Sequence, residues 1–262
     1  MTMSGTSHRG DDRAISEVVG FILVFAVVLS ATTFAATLGQ SQIRDLRDSE
    51  QLNNAERGFE LLSQNFDEIG QTRATARAGA LDLGGGTLAI RNTSNVTVSV
   101  KGTGYNETYI LRALQYRGPN ADTNIYYEGG MVVRTGPNSA PTPETTPPDV
   151  TCREGAAIVS VVTLTGQLDR TLAGETVRIR GGGSDATLHY PRNRTLGQAG
   201  TIDDGGQVNV TVQSDVAAAW QNYFEAASTG WEPAPGHPGR FRCTGVERVV
   251  VRQTVIEVTF ES

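Results

Sequence analysis

The residues whose types and spacing invite chemistry are few. Cys152 and Cys243 are the only cysteines. In an oxidising setting an even count favours a disulfide. Closing a loop of about 90 residues would then contribute on the order of 4 kcal/mol in the chain-entropy account. The alternative is two unrelated buried thiols. Asn92, Asn95, Asn106, Asn193 and Asn209 each begin an N-x-Ser/Thr sequon, the acceptor context for N-glycosylation. Asn95 and Asn106 fall near expected turns and are the better acceptors, whereas Asn209 falls within an expected strand. His8, His189 and His237 are isolated and lack metal-ligand spacing. The triplets Gly84-Gly85-Gly86 and Gly181-Gly182-Gly183 lack the lysine and Ser/Thr of a phosphate loop. Asp203-Asp204-Gly205-Gly206 lacks the alternating oxygen ligands of a calcium loop and suits a hairpin turn better. No recognised motif places a serine, a histidine and an acid together. The expectation is therefore no enzyme, no cofactor and no metal.

Composition bounds the partners. The formal charge of −6 argues against a nucleic-acid binder. Lys101 is the sole lysine and nearly all basic charge is arginine. Scarce lysine with a modest acidic excess suits a protein kept soluble at high salt, where electrostatic reach shrinks to a few Å.

The elements that must position these residues begin with residues 18–38, VVGFILVFAVVLSATTFAATL, an uncharged run. At about 1.5 Å per residue, a helix of that length would span a hydrocarbon core of roughly 30 Å. Thr32, Thr33 and Thr37 can bond back to their own helix and do not spoil it. Arginines lie on both sides, Arg9 and Arg13 before and Arg44 and Arg47 after, so counting them does not orient the segment. Behind it, Leu52, Ala55, Phe59, Leu62, Phe66 and Ile69 recur at alternating spacings of three and four, which is one apolar stripe on a helix. Gly70 suits its end. That stripe either packs on its own domain or pairs with a partner helix.

The leader, residues 1–14, is polar, and the switch to apolar sequence comes at Ala14/Ile15. Arg13-Ala14-Ile15-Ser16, followed by Glu17-Val18-Val19-Gly20-Phe21, resembles the class III signal of archaeal pilins and archaellins. In that signal a prepilin-type peptidase cuts just before the hydrophobic segment. The resemblance implies that the leader stays inside, that the bulk of the chain is exported, and that the hydrophobic helix is retained. It also makes Glu17 a candidate assembly residue, pairing with a neighbouring subunit's amino terminus. The residue also reads simply as an acid suited to the first turn of a helix.

Beyond residue 72 the apolar period shifts toward two. Residues 87–91, 96–100, 109–114, 125–127 and 131–133 are strand candidates, as are 158–164, 176–179, 187–190, 208–212, 247–251 and 255–260. Turns are expected at 84–86, 91–95, 101–104 and 118–120. Residues 136–149, GPNSAPTPETTPPD, are proline-rich and read as a surface loop inserted in one composite β domain or as a spacer between two. Residues 215–226 read as a short helix capped by Ser214 or Asp215. Its Val216, Trp220, Tyr223 and Phe224 are expected to face the sheet, a core role being favoured over a binding one.

The apolar segment, the run Asn53-Asn54-Ala55-Glu56-Arg57-Gly58-Phe59-Glu60-Leu61-Leu62, then Arg73-Ala74-Thr75, and the run ending Ala219-Trp220-Gln221-Asn222-Tyr223-Phe224 resemble a family of haloarchaeal pilin-like membrane proteins of unknown function. The expected fold is α+β: a long N-terminal transmembrane and stalk helix, then a mostly antiparallel β-sandwich-like domain with one short inserted helix. The expected division is leader 1–14, transmembrane or filament-core helix 15–39, amphipathic stalk 40–70, and an extracellular β-rich domain 71–262. The expected function is that of a pilin-like surface subunit, a minor or pilus-associated component. The alternative is a non-assembling, single-pass anchored adhesin. Its expected partners are membrane lipid, other pilin-like subunits and a prepilin-type peptidase.

Overall fold

The computed structural model describes residues 11–71, 74–119, 123–136, 147–153, 155–167, 171–174, 176–191 and 200–261. Side chains are described for these except at 11–17, 35–45, 93, 184, 203–205 and 227. Helix α1 covers Asp11–Gly70. The chain divides into two compact units, Met1–Ser49 and Glu50–Ser262.

In the second unit, the alternating three- and four-residue spacing does what an amphipathic stripe must. Ala55, Phe59, Leu62, Phe66 and Ile69 are all buried, with Leu52 packed at the margin. The stripe packs on its own domain, against Leu81, Leu88, Ile90, Leu114 and Tyr127 among others. Burying each Phe, Leu or Ile contributes about 1.5–3 kcal/mol, so the stripe is a principal source of this unit's stability.

The strands are β1 Ala76–Asp82, β2 Thr87–Val100, β3 Tyr105–Arg117, β4 Asn124–Glu128, β5 Met131–Thr135 and β6 Val150–Arg153. They continue as β7 Ala156–Gly166, β8 Leu172–Ala173, β9 Thr176–Tyr190, β10 Gly200–Ser214, β11 Glu232–Pro233 and β12 Arg240–Glu261. All join one twelve-stranded sheet with the main order β1-β9-β12-β10-β2-β3-β4-β5. Every pairing is antiparallel except β7 on β12. Helix α2, Ala217–Glu225, follows β10, and a 3-10 turn follows it at Ala227–Thr229.

Residue parity shows why there are two cores. Side chains alternate between the faces of a strand. In β4 and β5, Ile125, Tyr127 and Val132 join the core against α1, while Tyr126, Met131 and Val133 join a second core. In β3 the even-numbered Leu114 and Tyr116 go to the first, and the odd-numbered Tyr105, Tyr109 and Leu111 to the second. The cores therefore lie on opposite faces of the sheet. The second is completed by α2, with Val216, Trp220 and Phe224 buried as their spacing predicts.

The expected α+β fold with a transmembrane stalk helix and a β-sandwich-like domain is corrected. Among the described residues no helix is long and apolar enough to cross a membrane. The β region is a single, mostly antiparallel hydrogen-bonded sheet with residues 52–69 of α1 on one face and α2 on the other.

Two expected turns are also strand interiors. Residues 91–95 carry an irregularity between Asn92 and Ser94 inside β2. Residues 203–206 lie inside β10, where the register with β12 shifts on either side of Gly206. A β-carbon at Gly206 would sit 2.3 Å from the carbonyl oxygen of Val246, so close strand approach requires glycine there. Polar, glycine-bearing sequence thus marks a bulge as readily as a turn. Of the proline-rich stretch, residues 137–146 lie outside the described residues.

Candidate functional site

Most side chains of a soluble domain find cover for their apolar surface; those of residues 18–34 do not. Phe21 is 72 % exposed, and Val27 and Phe34 are each 67 % exposed. Val18, Val19, Ile22, Leu23, Val24, Phe25, Val28 and Leu29 are exposed as well. They follow one another without helical spacing, so the apolar surface surrounds the helix and leaves no polar face. The polar atoms of this stretch are already satisfied. Ser30 Oγ donates to the carbonyl of Ala26 at 2.7 Å, and Thr33 Oγ1 donates to that of Leu29 at 2.8 Å. Thr32 Oγ1 bonds the carbonyls of Val28 and Leu29, each at 3.0 Å. Back-bonding of this kind lets a helix carry hydroxyls in apolar surroundings. The segment is an apolar sleeve that makes no demand on water.

The residues expected to form a processing motif, Arg13, Ala14, Ile15 and Ser16, together with Glu17, lie on α1, but their side chains are outside the described set. Residues 1–10 of the expected leader, His8 included, fall outside the described residues.

Cys152 and Cys243 form a disulfide with their Cα atoms 5.8 Å apart. It ties β6 to β12 beside the core that α2 covers. Asn92, Asn95 and Asn106 are exposed, and Asn209 is half-buried. Asn193 lies outside the described residues. What the sequence did not reveal is that three of these share one face. Asn209 pairs with Ser99, and Ser99 with Asn106, in one row across β10, β2 and β3. Asn95 stands on the same face of β2, two alternate positions away. Asn209 Nδ2 donates to Ser99 Oγ at 3.4 Å, and the hydroxyls of Thr97 and Thr108 are 2.8 Å apart. This face is a polar sheet surface bearing the sequons.

His189 Nε2 bonds Gln253 Oε1 at 3.2 Å and its ring stands edge-on to Tyr109, an arrangement that fixes a side chain in place. His237 is exposed. Among the described residues no group of three or more His, Cys, Asp or Glu side chains is placed to hold a metal.

Two polar clusters went unsignalled by sequence, because their members are far apart along the chain. Glu128, fully buried at the end of β4, accepts from Ser214 Oγ at 2.7 Å and from Trp220 Nε1 at 2.8 Å. It thereby anchors α2, whose N-cap is Val216 rather than Ser214 or Asp215. Ser214 still serves the helix start, its Oγ accepting from the Val216 N–H at 2.9 Å. The second cluster lines a cleft of about 440 Å³ between the last turn of α1, the segment leading into β6, and β12. Asp149 Oδ2 accepts from Arg252 Nη2 at 2.5 Å and from Ser160 Oγ at 2.8 Å. Asp67 faces the same cleft. Burial first, and the charge of Asp149 second, push its carboxyl up to about 6. Tyr223 donates to the carbonyl oxygens of Pro148 and Val150, and burial pushes its hydroxyl up to about 12, with Asp149 adding to the rise.

No curated protein and no solved structure matches this chain. A family model does match, over residues 13–259, which takes in the apolar sleeve, the stripe and the whole sheet. On that match the chain belongs to the family of unknown function designated DUF7289.

Proposed function

We propose that this chain is a structural subunit of a pilin-like cell-surface assembly, in which residues 18–34 of α1 pack against the same segment of other copies. The observation that carries this reading is the sleeve itself: apolar side chains exposed all round the helix, with its hydroxyls bonded internally. So large an apolar surface is a driving force for association. A second copy offers matching surface over the same length, and repetition of one contact builds rings or filaments. The family match begins at residue 13 and includes the sleeve, so the segment is part of what the family shares.

In this reading a prepilin-type peptidase cuts between Ala14 and Ile15, the helix is retained, and Glu17 meets a neighbour's new amino terminus. The sheet domain is exported, where an oxidising environment suits the Cys152–Cys243 disulfide. Its sequon-bearing face, with Asn95, Asn106 and Asn209, takes glycans and stays outside the contact.

The test is the state of the native protein. Amino-terminal sequencing is expected to find Ile15 first, and material sheared from cells is expected to carry the chain into a sedimenting, multi-copy fraction. An intact leader together with a monomeric chain after shearing would overturn the proposal.

A further inference from the structure

The cleft beside the last turn of α1 is lined by residues of α1, of the segment leading into β6, of β7 and of β12. It holds about 440 Å³, within the range of small-molecule sites. It is floored by Phe66 and Val162, and hydroxyls of Thr151, Ser160 and Thr254 stand on its walls. Most of the remaining lining residues are polar or charged, so the cleft suits a small ligand that carries a polar group on an apolar body.

Its charges are unevenly matched. Arg252 is engaged by Asp149 through Nη2 and by Ser160 through Nε at 2.6 Å. Arg153 is exposed at the rim, its Nη2 donating to the carbonyl of Ser228 at 2.7 Å. Tyr223 is committed to two backbone carbonyls. The side chain of Asp67 alone among these groups has no hydrogen bond or ion pair to any described residue. Close to it lies Tyr127, whose fully enclosed hydroxyl also has no hydrogen-bond partner and feels the charge of Asp67. A half-buried carboxylate without a partner is costly and gains from a donor brought by a ligand.

We propose that this cleft binds a small organic cation, its protonated amine held by Asp67 and its apolar body lying over Phe66 and Val162. Asp149 supports the site by occupying Arg252, which would otherwise repel the cation. The inference is independent of the assembly reading, since it uses only residues of the unit Glu50–Ser262.

The groups facing Asp67 are Asp149 and Arg153 from the β6 side, Tyr127 from β4, Tyr223 from α2 and Arg252 from β12. Burial, with the charge of Asp149 adding to it, moves the titration of Asp67 up to about 6. Cation binding should therefore weaken as pH falls below that value.

The experiment titrates the full chain with benzylammonium and, separately, with the neutral isostere benzyl alcohol, following backbone amide shifts by NMR. Benzylammonium is expected to bind at least about tenfold more tightly than the alcohol at pH 7.5. Its affinity should fall about tenfold by pH 5, as Asp67 takes up a proton. Asp67→Asn is expected to fold and to bind the two probes equally. Asp82→Asn, on the exposed end of β1, is expected to leave the preference intact. Equal binding of both probes to the native chain, no binding of benzylammonium, or a preference that survives in Asp67→Asn would each overturn the proposal.

Discussion

Two stretches of α1 carry apolar side chains in opposite circumstances. Over residues 52–69 the apolar residues recur at three and four, and the five central ones are buried with exposures of 2 % or less. Over residues 18–34 they follow without a period, and the large ones remain about half or more exposed. The difference lies in the pattern rather than in hydrophobicity. A stripe about a third of the helix wide can be covered by one sheet face, and the other side is then free to carry Glu56, Glu60 and Glu68. A sleeve that surrounds the helix cannot be covered by any single neighbour within its own chain. It needs surroundings on all sides.

The sharpest way to break this comparison is to make the same deletion in both stretches. Phe66→Ala removes a ring that packs edge-on to Tyr127 at 5.1 Å and should cost about 3–5 kcal/mol. A fall in melting temperature of roughly 10 °C, followed by circular dichroism of the sheet, is expected. Phe25→Ala, which removes a ring 55 % exposed, should change that melting by no more than about 0.5 kcal/mol while lowering the multi-copy fraction. Equal destabilisation by both would mean that the sleeve belongs to the domain's core.

The opposite face of the sheet sharpens the contrast, since α2 is held there partly by polar contacts. Trp220→Phe keeps an aromatic ring, loses part of the indole's bulk, and removes the N–H from which Glu128 accepts at 2.8 Å. Leaving a buried carboxylate with fewer donors should cost about 1–3 kcal/mol in thermal or denaturant unfolding. A neutral result would show that water replaces the indole.

The smallest expected effect concerns Asp67, at the end of the stripe. Its folded pKa of about 6 lies above the ordinary 3.8, so the folded state prefers the protonated acid. The penalty is present in full above pH 6 and is relieved as pH falls from about 6 toward 3.8. Discounted for its partial exposure, it amounts to about 1 kcal/mol at pH 7.5. Asp67→Asn should raise melting at pH 7.5 by that amount and match the native chain near pH 4. A variant less stable than the native chain at pH 7.5 would mean that Asp67 is paired when charged.

Local periodicity made much of this legible. The stripe from Leu52 to Ile69, the end of α1 at Gly70, the buried face of α2 and most strand positions follow from residue spacing alone. The turns expected at 91–95 and 203–206 did not materialise, because glycine and small polar residues serve bulges inside long strands as well as reversals between short ones. The transmembrane helix expected from residues 18–38 is likewise not found among the described residues.

The candidate cleft was not legible at all. Asp67, Asp149 and Arg252 are separated by more than eighty residues at each step, and no local pattern marks any of them. The sequence by itself determined which side chains seek cover, that two cysteines were available to pair, and which asparagines could be acceptors. Only the tertiary structure decided that one sheet has a core on each face, that Asn95, Asn106 and Asn209 share a surface, and that the Asp67 carboxyl has no partner among the described residues. The first group depends on short-range alternation, which the order of residues encodes directly. The second depends on strand order and register, which are set by burying many distant side chains at once.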